Sequence, residues 1–233
     1  MAARQPETGS PLVGLAAGLA LLFDMDGVLV DSNPLHREAW TAFNRGYGIE
    51  TTEEMQQQMY GKRNDDIVRA FYGDHLPAEE VRERGAAKER LYRRMMDGRI
   101  EQMLVPGIRD FLERYRDAPM ALASNAEPLN VNFVLDQSGL RRYFRVVVDG
   151  HQVAHPKPFP DVYLRAAEGL GAVPANCIVF EDSNSGVEAA RRAGMRVIGI
   201  CTTHDNLRAT DLNIDNFWNG SVTEWLAAQS RVL

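Results

Sequence analysis

The stretch LLFDMDGVLVDS, residues 21–32, decides the fold of this chain of 233 residues. Its apolar run ends abruptly at Asp24 and Asp26, and Gly27 follows. Because side chains alternate along an extended backbone, the two aspartates are expected on the same side of it. Two close carboxylates at the end of a buried strand repel each other and lose hydration, so a bound cation is the expected compensation.

The composition is that of an ordinary globular protein, with 45% hydrophobic and 25% charged residues. A formal net charge of -6 and a pI near 5.4 argue against a nucleic-acid-binding surface. The apolar residues 12–23 lack a strongly basic leader and are too short to span a bilayer, so we expect no signal peptide and no membrane partner. The two cysteines are outside any CxxC pattern, which favours a reducing, cytoplasmic setting.

Apolar periodicity predicts alternating strands and helices over much of the chain. Five short apolar runs are predicted as strands, at 20–23, 120–123, 146–148, 177–180 and 197–200. Helices are predicted near 108–115, 128–137, 160–170, 185–193 and 222–228. This alternation predicts an α/β fold, a doubly wound parallel sheet with helices on both faces.

Between the first two strands the pattern predicts helices only. The first begins at Pro34 with Asn33 as its cap, and others are expected at 52–59, 65–72 and 78–96. We therefore interpret residues 33–103 as a helical cap domain inserted into an α/β core. The predicted core comprises 19–32 and 104–233, and residues 1–18 are predicted to be a disordered leader.

Polar residues follow three of the predicted strands. Ser124-Asn125 follows the second strand, Glu181-Asp182 follows the fourth, and Lys157 lies in the loop after the third. Because parallel strands end at one edge of a sheet, we expect these residues to meet the aspartate pair there.

Four carboxylates and one ammonium would make this edge strongly negative. Oxygen ligands without Cys or His favour a hard ion such as Mg²⁺, and such a site suits phosphoryl transfer. Each motif alone has an ordinary interpretation as a turn, a helix cap or an exposed loop lysine. Their joint occurrence at one edge favours the functional interpretation.

These motifs resemble those of the haloacid dehalogenase superfamily, in its phosphatase and β-phosphoglucomutase-like branch. The matching segments occur in the family's order, at residues 24–32, 123–125, 157–161 and 180–186. The resemblance extends over nearly all of the chain after the leader. It implies a Rossmann-like core, and the helical insertion resembles the family's α-helical cap.

The resemblance also implies separate roles for the two aspartates. Asp24 would be the nucleophile that forms an aspartyl phosphate. Asp26 would be the acid/base, and its backbone carbonyl would contact Mg²⁺. Dehalogenases of the superfamily have no Asp at the second position, so halide displacement is not expected here.

The remaining core residues would serve the phosphate and the metal. Ser124, with Asn125 and the nearby backbone, would hold the phosphate oxygens. Lys157 would neutralise charge on the phosphate and on Asp24. Asp182, with Glu181 close by, would complete the metal site.

The cap supplies the candidate substrate contacts His36, Gly61, Arg63, Asn64 and Lys88. His36 matches a family histidine that couples substrate binding to cap closure, and Lys88 aligns with a cap lysine of the mutases. A surface histidine and a solvated lysine are the alternative interpretations. The mutases place an arginine where this chain has Asn64, with Arg63 one residue earlier, which weakens a mutase assignment.

Three hypotheses for the function follow from these residues. The first is a Mg²⁺-dependent phosphatase of a small phosphorylated metabolite such as a sugar phosphate, acting as a monomer or weak homodimer. The second is a phosphomutase that returns the phosphoryl group to a sugar hydroxyl. The third is a non-enzymatic phospho-acceptor signalling module, against which the insertion and Asp26 both argue.

Overall fold

A computed structural model describes residues 18–59 and 62–229 of the chain. Apart from Gly18, the predicted leader lies outside this part of the chain, and so does Gly61. Within it, parallel strands form a six-stranded sheet in the order β3-β2-β1-β4-β5-β6. The strands are β1 (Ala20–Phe23), β2 (Met120–Ala123), β3 (Val146–Val148), β4 (Cys177–Glu181), β5 (Arg196–Ile200) and β6 (Leu212–Ile214).

Helices cover both faces of this sheet, which confirms the predicted fold class. In chain order they are α1 (Asn33–Arg45), α2 (Glu53–Gln57), α3 (Asn64–Tyr72), α4 (Ala78–Met96), α5 (Ile108–Arg114), α6 (Pro128–Gln137), α7 (Asp161–Leu170), α8 (Asn184–Arg192) and α9 (Gly220–Gln229). Short 3₁₀ helices occur at Ile100–Met103, Leu140–Tyr143 and Pro174–Asn176.

The central strand β1 is buried on both sides because its side chains alternate between two cores. Leu21 and Phe23 belong to the core shared with α5, α6 and α9. Ala20 and Leu22 belong to the core shared with α7 and α8. This double burial explains why the strand reads as a continuous apolar run in the sequence.

Stacked aromatic rings fix the spacing between β1 and β4 just before their polar ends. The rings of Phe23 and Phe180 stack with centroids 4.6 Å apart. Phe111 of α5 meets both rings edge-on, at 6.2 and 5.3 Å. These contacts hold the two strand ends that carry the aspartate motifs in a fixed relation.

The segment between β1 and β2 contains α1 to α4 and has an apolar cluster of its own. Trp40, Ile67, Val68 and Val81 are buried in that cluster, together with Met59. α1 and α4 also reach the main core, for example through Leu35 and Tyr92. The helical segment therefore has an apolar cluster of its own and also packs against the core of the sheet.

Two local predictions were wrong. The three-residue strand β6 was not expected, because Leu212 and Ile214 form too short an alternation to stand out from a loop. Asn33 is the first residue of α1 and not its cap. Ser32 occupies the cap position, but its hydroxyl donates to Asp26 instead of accepting from the helix backbone.

No helix within the described ranges is long and apolar enough to cross a membrane.

Two leucine substitutions test the position of the core. Leu122→Ala removes a side chain that is fully buried in β2 and should cost about 2–5 kcal/mol of unfolding free energy. Leu129→Ala removes one that is 62% exposed in α6 and should change that energy by less than about 0.5 kcal/mol. Urea denaturation followed by circular dichroism measures both, and equal losses would contradict the assigned core.

Candidate active site

The polar ends of the strands meet at the carboxyl edge of the sheet. Asp24 follows β1, Ser124 follows β2, Glu181 is the last residue of β4, and Lys157 lies in the loop between β3 and α7. Parallel strands bring these residues together although up to 157 positions of sequence separate them. The peptide bond that follows Lys157 is cis.

The Lys157 ammonium joins two of the carboxylates. Its Nζ donates to Oδ1 of Asp24 and to Oε1 of Glu181, both at 2.7 Å. The lysine is only 4% exposed. Burial opposes its charge, but attraction to the two carboxylates prevails and raises the pKa of Lys157.

Glu181 is saturated with hydrogen-bond donors. Besides Lys157, the Tyr163 hydroxyl donates to Oε1 at 2.7 Å. The backbone N–H groups of Asp182 and Ser183 and the Ser183 hydroxyl all donate to Oε2. Burial disfavours the charged carboxyl, yet Lys157 and these donors lower the pKa of Glu181. Its main effect is therefore to anchor Lys157.

Asp182 is held differently, by neutral donors only. Asn33 Nδ2 donates to its Oδ2 at 2.9 Å, and the Thr203 hydroxyl donates to the same oxygen. Burial and the neighbouring charges of Glu181 and Asp24 raise the pKa of Asp182 well above its usual value. Among the described residues no cation forms an ion pair with Asp182, and the attraction of Lys157 does not offset these effects.

Gly27 lets Asp182 approach the first motif. Its φ of 78° lies in the left-handed region, which favours glycine. A Cβ at this position would overlap the carboxyl group of Asp182. The Thr202 hydroxyl donates to the Gly27 carbonyl at 2.6 Å and fixes the loop from the other side.

Three carboxylates fit a divalent cation. One oxygen from each of Asp24, Glu181 and Asp182 lies within 4.8 Å of the others, and all three residues are buried. Burial is also the largest cause that raises the pKa of Asp24 to about 7, against the opposing effect of Lys157. Bringing a hard cation beside these oxygens would relieve the repulsion that raises the pKa values of Asp24 and Asp182.

Asp26 has a different environment from Asp24. Its Oδ1 accepts from the Ser32 hydroxyl at 2.5 Å, and Nε2 of His36 lies 3.5 Å away. Burial alone would raise its pKa, but the contacts with His36 and Ser32 lower it overall. Two aspartates one residue apart therefore have pKa values shifted in opposite directions, which is how acid–base sites divide roles.

His36 lies between Asp26 and a buried lysine. Its ring stacks on Tyr92 with centroids 3.8 Å apart. Its Nδ1 is 3.1 Å from Nζ of Lys88, which is 1% exposed. Neither the surface histidine nor the solvated lysine considered from the sequence describes these two residues.

Hydrogen bonds to neighbouring loops and strands hold the phosphate-binding candidates Ser124 and Asn125 in place. Ser124 N–H donates to the Val148 carbonyl at 3.0 Å, and its hydroxyl accepts from Ala126 N–H at 3.1 Å. Asn125 Oδ1 accepts from the backbone N–H of Lys157 at 3.2 Å. The second motif and the lysine loop are thereby tied together.

A cavity of about 80 Å³ lies between the sheet edge and the helical segment. Its sheet side is lined by Asp24, Asp26, Ser124, Asn125, Lys157 and Asp182. Its helical side includes His36, Asn64 and Lys88. Nine predicted site residues thus share one cavity.

Arg63 does not line this cavity. Its guanidinium donates to the Val153 carbonyl at 2.8 Å and reaches the Ala154 carbonyl at 3.5 Å, so it bonds to the loop after β3. Its neighbour Lys62 lines the cavity instead. Arg63 has an extended backbone just before α3, and neighbouring side chains of an extended backbone point to opposite sides, which accounts for the exchange.

Sequence reasoning missed several residues of the site. Lys62 lies between the candidates Gly61 and Arg63 in the sequence and could have been included, and Asn33 follows the first motif directly. Thr203, Glu89 and Asn130 belong to no motif, so nothing in the sequence pointed to them.

Comparisons with known proteins agree with this geometry. The chain is 33% identical over 183 residues to fructose-1-phosphate phosphatase of Escherichia coli. The aligned region is 77% of this chain and 95% of that protein. It is 32% identical over 239 residues to β-phosphoglucomutase of Mycobacterium bovis, with 89% of this chain and 90% of that protein covered. Relatives thus include both a phosphatase and a mutase of phosphorylated sugars.

The fold matches that of a solved relative. The crystal structure of β-phosphoglucomutase from Clostridium difficile superposes with a TM-score of 0.81 at 24% identity, covering 92% of this chain and 99% of that one. A family model of haloacid dehalogenase-like hydrolases matches residues 19–194. With the acidic edge, the lysine and the helical segment in place, the chain belongs to the haloacid dehalogenase-like hydrolase family.

Proposed function

We propose that this protein is a Mg²⁺-dependent phosphatase that hydrolyses a small phosphorylated metabolite through an aspartyl phosphate. One observation carries the proposal. Asp24 and Asp26 face the same cavity, but Asp24 is paired with a lysine while Asp26 is held by a hydroxyl and an imidazole. Adjacent carboxyl groups in such different environments suit two different catalytic roles.

Asp24 is the proposed nucleophile. One carboxylate oxygen attacks phosphorus while the bond from phosphorus to the substrate oxygen breaks, giving an aspartyl phosphate. Lys157, 2.7 Å from Asp24, lies where it can neutralise charge on the transferring group. Ser124 and the adjacent backbone would orient the phosphate oxygens, with Asn125 bracing the lysine loop.

Asp26 is the proposed acid/base. A phosphate dianion that enters beside it would raise its pKa, because like charge disfavours ionisation. The protonated carboxyl can then give its proton to the leaving oxygen. Once ionised again, it can accept a proton from the water that attacks the aspartyl phosphate. The Ser32 hydroxyl and His36 hold the carboxylate in place for both transfers.

Asp24, Asp182 and the backbone carbonyl of Asp26 would hold Mg²⁺, with Glu181 adjacent. When bound, the ion supplies charge neutralisation for the attacking carboxylate and the phosphate oxygens. The raised pKa values of Asp182 and Asp24, which burial causes in the first place, support this assignment. Glu181 fits it less well, because both of its oxygens already accept hydrogen bonds.

We propose that residues 33–103 act as a cap that selects the substrate. His36, Asn64 and Lys88 line the cavity from that side, and Lys62 joins them. Gly61, which directly precedes Lys62 in the sequence, remains a candidate substrate contact. A sugar phosphate is the preferred substrate class, because a related protein is a fructose-1-phosphate phosphatase and most of the residues that line the cavity are polar or charged.

A phosphomutase is the second candidate. The 32% identity to a β-phosphoglucomutase favours it. A mutase must also hold the distal phosphate of a bisphosphate, and the cap loop offers Asn64 there while Arg63 bonds to the core backbone. Hydrolysis is therefore the preferred outcome.

A phosphate-release screen over sugar phosphates, phosphoglycolate and nucleotides, with and without Mg²⁺, tests the function. We expect Mg²⁺-dependent release of free phosphate from at least one sugar phosphate. Isomerisation of β-glucose 1-phosphate to glucose 6-phosphate with a bisphosphate activator would instead establish the mutase. No release from any compound would refute the phosphatase.

Asp24→Asn should abolish turnover, by a factor of at least about 10⁴, while the fold is retained, because the amide is nearly isosteric but not nucleophilic. Steady-state phosphate release measures the loss, and circular dichroism checks the fold. The matched control is Asp110→Asn, an exposed aspartate of α5 that should keep full activity. Wild-type rates in Asp24→Asn, with deamidation ruled out by mass spectrometry, would contradict the assignment.

Mg²⁺ affinity should depend on pH, because protons compete with the ion for carboxylates whose pKa values are raised. Asp24, with a pKa raised to about 7, is mostly protonated at pH 6 and ionised at pH 8. Affinity should therefore increase about tenfold or more from pH 6 to pH 8. Isothermal titration calorimetry measures it. Equal affinity at both pH values would show that Asp24 is not a ligand.

A further inference from the structure

A buried ion pair on α4 borders the cavity, and its acidic member, Glu89, has no role in the chemistry proposed above. Nζ of Lys88 is 2.5 Å from Oε1 of Glu89, and the two residues are 1% and 3% exposed. Adjacent residues of a helix normally diverge. Here both side chains turn into the same enclosed space, and both line the cavity.

Glu89 also joins this helix to α6 of the core. Its Oε2 accepts from Nδ2 of Asn130 at 2.6 Å. Arg93, one turn further along α4, donates to the side-chain Oδ1 of Asn130 and to the Glu127 carboxylate. Glu127 occupies the N-cap position of α6, two residues after the phosphate-binding candidate Asn125. The contacts therefore connect the proposed cap to the segment that would hold the phosphate.

On its other side, the pair controls the imidazole beside Asp26. An ammonium group has three donors and no acceptor, so Nδ1 of His36 must accept from Lys88 across their 3.1 Å contact. The ring proton is then on Nε2, the atom that lies 3.5 Å from Asp26. The charge on Lys88 thus directs the His36 N–H toward the acid/base.

Glu89 holds the Lys88 ammonium in its place. Among the described residues, Glu89 is the only carboxylate in an ion pair with Lys88. The remaining neighbours of the ammonium are the His36 imidazole and the rings of Trp40 and Tyr92. Burial disfavours the Glu89 carboxylate, but Lys88, His36 and Asn130 outweigh it and lower the pKa of Glu89 to about 2. A buried ammonium without a counter-charge is costly, so Lys88 would move away from its place beside His36 if the charge of Glu89 were lost.

We propose that Glu89 is a positioning residue for the acid/base, acting through Lys88 and His36 on Asp26 and linked by Asn130 to the docking of α4 on α6. This inference rests on the proposed function, because it assigns Asp26 the task of protonating the leaving oxygen. It makes acid catalysis depend on a carboxylate that acts through two other side chains.

Two substrates with different leaving groups can distinguish this positioning role from a purely structural role of Glu89. A sugar alkoxide needs a proton as it departs, whereas p-nitrophenolate is stable without one. The constant kcat/KM covers the steps up to transfer of the phosphoryl group to Asp24 and excludes the later attack by water. A misplaced acid therefore lowers this constant for the sugar phosphate and spares p-nitrophenyl phosphate.

The experiment compares Glu89→Gln with wild type on the sugar phosphate hydrolysed fastest in the screen and on p-nitrophenyl phosphate. The glutamine carbonyl can still accept from Asn130, but the counter-charge for Lys88 is lost. We expect kcat/KM to fall about tenfold or more for the sugar phosphate and less than about twofold for p-nitrophenyl phosphate. The matched control, Glu83→Gln, changes an exposed glutamate of the same helix and should alter neither.

A second variant tests the route of the effect. In a His36→Asn background, Glu89→Gln should add little further loss, because the connection to Asp26 is already broken. Should Glu89→Gln fail to fold by circular dichroism, Asn130→Ser removes one partner of Glu89 and should give a smaller loss of the same kind.

Each outcome decides between the claims. Equal losses on both substrates, no loss on either, or a full additional loss in the His36→Asn background would overturn the role of Glu89 and leave the phosphatase standing. Absence of wild-type activity on every phosphate ester would overturn the proposed function, and the role of Glu89 with it.

Discussion

The contact between the Lys157 ammonium and the carboxylates of Asp24 and Glu181 is the interaction on which the site depends. Without the lysine, buried carboxylates would repel one another at the end of the central strands. Glu181 holds the ammonium from behind, and Tyr163 and two backbone N–H groups hold Glu181. Asp24 is thus oriented by a chain of contacts that reaches into the sheet.

The sheet makes this arrangement possible because it is rigid on both sides. β1 and β4 run side by side, and the stacked rings of Phe23 and Phe180 end one residue before the acidic positions. Helices cover both faces, so these strands are excluded from water up to their last residues. In each of these two strands, a packed phenylalanine is followed directly by an acidic residue of the site.

The sheet edge was predictable from the sequence because strand ends are local features. An apolar run that stops at Asp24, Ser124 or Glu181 is visible in a few letters, and parallel pairing then brings such ends together. The other side of the cavity was not predictable in the same way. Whether Lys62 or Arg63 faces the cavity depends on the backbone conformation just before α3, which composition does not reveal.

Contacts that cross between elements were the least accessible to sequence reasoning. Asn33 resembles a helix cap by position, but its amide bonds to Asp182, which lies 149 residues away. Glu89 looks like one more solvated glutamate in a charged helix, because nothing near it in the sequence marks the partner on α6. Such residues become distinctive only when the tertiary fold assigns their partners.

Gly27 makes the two acidic motifs sterically dependent on each other. The carboxyl group of Asp182 fills the space that any side chain at Gly27 would need. A residue larger than glycine could be accommodated only if Asp182 withdrew, and with it the proposed metal site. The first motif and the last are therefore coupled sterically, so a substitution at Gly27 would reach the proposed metal site by displacing Asp182.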